Sequence, residues 1–310
     1  MKEQNEVVTE VAENAKKEAS KLEVVGLSKA YGDTMVLSDV TLTFRKGHCY
    51  GLFGENGAGK STFYRIMAGR TTADAGKITI DGKDIFLDSE KRSKVFCSGD
   101  GMYFPENLST GKILQVMSML QNGFDYEYAE ALMLRFGLSD KSRFGKLSRG
   151  ETSLFCDILA LASSADFIIL DEPVLGVDVN KRVLFYEELT RLVAKEEKAY
   201  IITTHLIDEV TDLIEYAIIL SYGTVVLNGS MDTIEGQYLM VSGMNRSVIE
   251  STASCKVLRE EKIGSFLCRI VERPEKKVNF EGFGVEVTGA PFEKVFSALS
   301  GGWKLVKRRG

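Results

Sequence analysis

No run of apolar residues in this sequence approaches the ~18 that a membrane-spanning helix needs. The N-terminus lacks the basic-then-apolar order of a secretory leader, so secretion of the chain is not expected. Cysteine is sparse and scattered. The five thiols, Cys49, Cys97, Cys156, Cys255 and Cys268, are odd in number and form no C-x-x-C pair. That argues against a disulfide framework or a zinc site, and for a reduced, cytosolic setting. Positive charge is not in excess either. Lys and Arg number 39 against 44 Asp and Glu, a formal net charge of −5, so nucleic acid is not the expected partner. Histidine occurs only twice, which makes the place of each informative.

What remains is an ordinary globular composition, 44% apolar and 27% charged, in 310 residues. That length accommodates one large domain and a smaller one. The most specific stretch is Gly54-Glu55-Asn56-Gly57-Ala58-Gly59-Lys60-Ser61, with Thr62 next, which matches G-x-x-x-x-G-K-[ST]. A strand-like run, Cys49 to Phe53, precedes it, and apolar Phe63, Ile66 and Met67 come after it at helical spacing. In that strand–loop–helix setting the glycines let backbone N–H groups turn inward around phosphates, and the helix N-terminus adds positive potential. Lys60 is then expected at the β- and γ-phosphates and the Ser61 hydroxyl on Mg²⁺. A nucleoside triphosphate is the implied ligand.

The rest of the chain supports this. Residues 1–20 are polar and charged and read as a leader. Strands are expected from Leu22 and over 36–44, and the run Lys77 to Gly82 reads as a hairpin strand and turn. From 110 to 137, Ile113, Leu114, Met117, Leu120, Ala129, Leu132, Met133 and Phe136 keep helical spacing, the mark of an inserted helical subdomain. Helices over 151–162, 181–194 and 206–215 then alternate with apolar strands at 167–170, 200–204 and 217–220. That order predicts an α/β protein with a mostly parallel sheet covered on both faces. Beyond residue 235 the phosphate-binding pattern stops, and short strands and helices predict an α+β accessory domain over 236–310. The last residues, 304–309, are basic and read as a solvated end.

Two adjacent acids close the apolar strand at Phe167-Ile168-Ile169-Leu170-Asp171-Glu172. A buried parallel strand delivers the residues at its C-terminal end to the ligand-binding edge of the sheet. Asp171 is therefore placed to hold Mg²⁺, and Glu172 to orient and activate a water for attack on the γ-phosphate. Leu147-Ser148-Arg149-Gly150-Glu151 opens a helix upstream of that strand, with the Ser-x-x-Glu spacing of a capping box.

With these motifs in order, the chain resembles the nucleotide-binding subunits of ABC transporters over about residues 22–232. Leu147 to Glu151 resembles that family's signature LSGGQ, with Arg149 in place of a glycine and Glu151 in place of the glutamine. The resemblance implies a P-loop NTPase fold: a mixed-sheet core, a helical subdomain and an antiparallel β subdomain, together spanning 21–235. It implies that Ser148, Gly150 and the signature helix face the γ-phosphate bound by a second subunit. Glu151 brings a carboxylate near that phosphate and is expected to weaken affinity. The resemblance further implies that Asp178 contacts the partner subunit, that His205 touches the γ-phosphate and that Tyr31 stacks on adenine. The family's glutamine loop is absent: the chain reads Phe96-Cys97-Ser98-Gly99-Asp100, and Asp100 is the remaining candidate for the metal. A shorter likeness, residues 291–301, points to ATPase subunits of type-2 exporters.

The expected protein is thus an Mg²⁺-dependent ATPase that dimerises on ATP, as a homodimer or with a second ATPase subunit. It drives a separately encoded polytopic permease from the inner face of the membrane, with export favoured. A soluble ABC-type switch acting on ribosomes or DNA is the second reading. It lacks support from a paired nucleotide domain or a coiled-coil insertion. A GTPase lacks its guanine-reading aspartate at Asn180-Lys181-Arg182-Val183, and a non-hydrolysing subunit is at odds with Glu172 and His205.

Overall fold

A computed structural model describes residues 20–99, 102–195, 197–274, 278, 280 and 283–300. The chain opens with strands β1 (Lys21–Tyr31), β2 (Thr34–Arg45) and β3 (Cys49–Phe53), then helix α1 (Lys60–Met67). Next come strands β4 (Ala75–Ile80) and β5 (Lys83–Asp84), short helix α2 (Ser89–Ser93) and strand β6 (Val95–Ser98). The helical insertion is α3 (Thr110–Leu120), α4 (Tyr126–Arg135) and α5 (Arg149–Ala162). Strand β7 (Phe167–Asp171), α6 (Val179–Val193), β8 (Ala199–Thr203), α7 (Ile207–Val210), β9 (Tyr216–Ser221) and β10 (Thr224–Ser230) complete the main body. The last part is α8 (Met231–Gln237), β11 (Tyr238–Met244), α9 (Asn245–Ser251), β12 (Val257–Ile263), β13 (Phe266–Glu272), β14 (Glu286–Gly289) and α10 (Phe292–Ser300).

The central sheet has the order β10-β9-β3-β8-β7-β6, and only the β9–β10 pair is antiparallel. β3 and β8 are buried at every position and β7 at all but its last, because helices cover both faces. The parallel strands end on one edge at Phe53, Ser98, Asp171, Thr203 and Ser221, which is where the phosphate loop, the Asp171–Glu172 pair and the His205 turn begin. A second, antiparallel sheet, β2-β1-β4-β5, packs Leu22, Val24, Leu42, Phe44 and Ile78 against α1. Its β4–β5 hairpin turns at Asp81 and Gly82, both at positive φ, as a two-residue loop between right-twisted strands requires. The fold is α/β, as predicted.

Two segments differ from expectation. The helix expected over 206–215 is a single turn, α7. Its N-cap Leu206 offers no side-chain acceptor, and the chain turns away so that the Glu215 N–H can reach the Cys49 carbonyl at 2.9 Å. The C-terminal part is a four-stranded antiparallel sheet, β12-β13-β11-β14, and α10 bridges it to the main body, its Ser297 carbonyl accepting from Arg259 of β12 at 3.2 Å. Phe292 packs tilted and Phe296 edge-on against Phe53, with centroids 5.1 and 6.3 Å away, inside the same apolar cluster as Ile219 and Tyr200. The expected division at 235/236 falls within α8. The leader 1–19, the basic tail 304–309 and Asp100 lie outside the described residues.

Candidate active site

The phosphate loop is held from both sides. β3 delivers Gly54 to the sheet edge, the Ala58 N–H donates to the Glu55 carbonyl at 3.0 Å, and the Ala58 carbonyl accepts from Gly223 N–H at 3.1 Å. Gly59 has φ 108° and ends the loop as the N-cap of α1. A Cβ there would meet the Val36 carbonyl at 2.8 Å, so only glycine lets the loop lie this close to β2. Glycine gives α1 no side-chain cap, leaving its first-turn N–H groups for another acceptor. Lys60 Nζ donates back to the Gly54 carbonyl at 2.5 Å and to the Glu55 carbonyl at 3.3 Å. Burial pushes the Lys60 ammonium below its ordinary pKa, while the charges of Glu172 and Asp171 oppose that shift.

Glu55, Asn56, Gly57, Gly59, Lys60, Ser61 and Thr62 line a cavity of about 490 Å³, and Asp171 and Glu172 line it with them. The Asp171 carboxylate accepts from the Thr203 hydroxyl on the neighbouring strand. Glu172 takes φ 49°, its N–H donating to the Thr203 carbonyl at 2.8 Å. Its carboxylate lies 2.8 Å from His205 Nδ1, just beyond β8. The acid pair and the phosphate loop, far apart in sequence, thus share one space of the size small-molecule sites occupy.

The same cavity is lined by α5, which contributes Arg149, Thr152, Ser153 and Cys156. Ser148 is its N-cap and the capping box is complete. Ser148 Oγ accepts from Glu151 N–H at 3.3 Å, and the Glu151 carboxylate accepts from Ser148 N–H at 2.8 Å. That backbone hydrogen bond holds the Glu151 pKa below the ordinary range. Gly150 is buried against the turn after Glu172: a Cβ would fall 2.8 Å from the Gly176 carbonyl carbon. Asp178 caps α6, accepting from Lys181 N–H at 3.1 Å.

This constellation agrees with what the chain is similar to. The sequence pattern of the ABC transporter family matches residues 37–175. A Nod factor export ATP-binding protein I of Rhizobium sp. (strain N33) is 30% identical over 307 residues, covering 90% of this chain and 97% of its relative. The chain belongs to the ATP-binding subunits of ABC transporters. A solved ATP-binding subunit of an ABC transporter superposes with TM-score 0.63 at 27% identity, covering 69% of this chain and 92% of that one. A bacterial ABC transporter cassette whose structure is dimeric has the same fold, with TM-score 0.60 at 20% identity, covering 68% of this chain and 98% of that one. As an ABC ATPase subunit the chain binds ATP and powers transport through a membrane permease. No helix among the described residues is long and apolar enough to cross a membrane itself.

In this ABC subunit the expected site residues fall into two groups. Glu55, Asn56, Gly57, Gly59, Lys60, Ser61, Thr62, Asp171 and Glu172 line the cavity; Gly54 and Ala58 shape the loop behind them; and His205 reaches the cavity through Glu172. Ser148, Gly150, Glu151 and Asp178 lie outside the lining: Ser148 and Glu151 cap α5, Gly150 lies against Gly176, and Asp178 caps α6. Tyr31 is also outside it, half exposed, with Lys29 Nζ 5.5 Å from its ring centroid, while Val36 at the other end of that hairpin lines the cavity. Arg149, read from sequence only as a departure from the signature, lines the cavity and has no ion-pair partner among the described residues. Thr203 carries no local signal in the sequence, whereas Asp157 carries one that the sequence reading does not use, an acid set among the apolar residues of its helix.

Proposed function

We propose that this subunit hydrolyses ATP by using Glu172 to activate water, dimerises on ATP through the signature segment, and drives export through a separate polytopic permease at the inner face of the membrane. The observation that carries this reading is the meeting of Lys60, Ser61, Asp171 and Glu172 in one cavity, with His205 on the Glu172 carboxylate. Lys60 supplies a buried cation for the β- and γ-phosphates, and α1 adds uncapped N–H groups. His205 orients Glu172 and lies where a γ-phosphate oxygen is reached next. Ser61 and Asp171 fit Mg²⁺, which takes one or two hard oxygen ligands from protein and the rest from water and phosphate; bound there, it would neutralise charge on the β- and γ-oxygens.

Ser148 and Gly150 lie outside the chain's own cavity, which supports their meeting a nucleotide held by another subunit. Tyr31, exposed beside the hairpin that reaches the phosphate loop, is kept as the adenine platform, and Asp178 as a contact to the partner subunit. Export is supported by the exporter relative, whose similarity runs through the C-terminal part, and by residues 291–301. Glu172→Gln should abolish turnover while keeping ATP binding, and should run as a dimer on size exclusion with ATP and Mg²⁺. A variant that hydrolyses at near wild-type rate would falsify the role of Glu172; one that binds ATP yet stays monomeric would remove the homodimer.

A further inference from the structure

Helix α5 carries an acid where its apolar pattern calls for an aliphatic residue. Leu154, Phe155, Ile158, Leu159 and Leu161 are buried around Asp157, which is itself 1% exposed. No cation touches this carboxylate among the described residues. Its partners are two neutral donors: Ser98 Oγ, 2.6 Å from Oδ1, and the Val174 N–H, 3.2 Å from Oδ2. A buried charge held this way costs stability, and an apolar side chain of similar volume would pack there at less cost.

What Asp157 holds is the strained turn beyond β7. Glu172 and Val174 take φ 49° and 55°, a region that side chains with a Cβ rarely adopt and that is least favourable for β-branched valine. Between them Pro173 has no N–H to donate. The turn is therefore anchored through two amides: Glu172 N–H on the Thr203 carbonyl at 2.8 Å, and Val174 N–H on Asp157. Val174 is buried, so without Asp157 its N–H would have no acceptor and no water, and the second anchor would be lost. Through its other oxygen the same carboxylate fixes the end of β6, so one side chain ties three segments around the acid pair.

We propose that Asp157 is a positioning residue for ATP hydrolysis: its carboxylate fixes the Glu172–Val174 turn and so aims the Glu172 side chain at the attacking water. This rests on the reading of Glu172 given above. It separates Asp157 from residues that bind nucleotide, because the phosphate loop and Lys60 keep their own anchors when the turn loses its second one.

The test uses the purified full-length chain with Asp157→Leu, Asp157→Ser and Asp157→Asn, measuring kcat, KM and the Kd for ATP. Leucine offers no acceptor, and the serine hydroxyl is too short to reach Val174. Both should lower kcat at least tenfold while the Kd for ATP stays within threefold. Asparagine keeps a carbonyl oxygen for Val174 N–H and should stay within threefold of wild-type kcat. If leucine prevents folding, serine, which is smaller and fits the same space, carries the comparison. Folded Leu and Ser variants with kcat within threefold of wild type would overturn the proposal. So would a parallel loss of ATP binding, which would make Asp157 a support of the whole fold. Turnover that survives Glu172→Gln would instead remove the reading of Glu172 on which the proposal stands.

Discussion

Asp157→Asn should make the protein more stable, and by an amount that grows with pH. Burial pushes the Asp157 carboxyl from 3.8 up to about 6, with the charge of Asp171 adding to the shift and the donors Ser98 and Val174 opposing it. Between those two values the folded state holds a proton that the unfolded chain has released. Stability contributed by the protonated acid is therefore complete below pH 3.8 and is lost as pH rises through about 6. A raised pKa of roughly two units corresponds to on the order of 3 kcal/mol at 1.36 kcal/mol per unit. Asparagine carries no proton to lose and mimics the neutral acid, so it escapes this penalty. Its advantage should be about 1.5 kcal/mol at pH 5 and about 3 kcal/mol at pH 8, beyond any constant offset from altered hydrogen bonds. Urea unfolding of both proteins, monitored by circular dichroism at pH 5, 6 and 8, measures the difference. A difference that does not change over that range, or that grows toward acid, would refute the linkage.

Packing yields two more expected outcomes. Gly150→Ala must displace the Gly176 carbonyl, so it should cost about 1–3 kcal/mol in stability and lower ATPase activity at least tenfold; a variant with unchanged melting temperature and activity would show that α5 and this turn are not in contact. Phe292→Ala removes the ring buried against Phe53 and should cost about 3–5 kcal/mol by urea unfolding, so a loss below ~1 kcal/mol would mean that α10 does not complete the main-body core.

The parts legible in the sequence are those whose chemistry is local. The phosphate loop is recognised from eight consecutive residues, and the acid pair from the apolar strand that precedes it. The Ser148–Glu151 capping box is legible because a three-residue spacing fixes both of its hydrogen bonds. Long-range packing was not legible. Phe292 and Phe53 are 239 positions apart (292 − 53), and nothing near either shows that α10 returns to the main body. Nor does the spacing of Ile207, Val210 and Ile214 distinguish a ten-residue helix from one turn with bends beyond it, since all three are buried either way. The fate of Glu151 was only half legible. Its charge is read directly from the sequence, but that the carboxylate turns back onto the Ser148 N–H, which favours its charged form, is seen only in the fold.

Two contacts converge on the short segment after β7, which ends at the cap of α6. Asp157 accepts from Val174, Gly150 lies against Gly176, and Asp178 begins α6. The signature helix and the turn carrying Glu172 are thereby joined at the helix's middle, through Asp157, and in its first turn, through buried Gly150. The phosphate loop belongs to a different packed group: its Ala58 is tied to Gly223, and Gly223 in turn accepts from Ser38 on β2. Both groups line the cavity, the one through Lys60 and the other through Arg149. A displacement of α5 therefore cannot leave Glu172 where it was, whereas the phosphate loop can keep its grip while α5 moves. Nucleotide binding and the placement of Glu172 are thus mechanically separable in this subunit. Substitutions along α5 should accordingly alter turnover before they alter affinity.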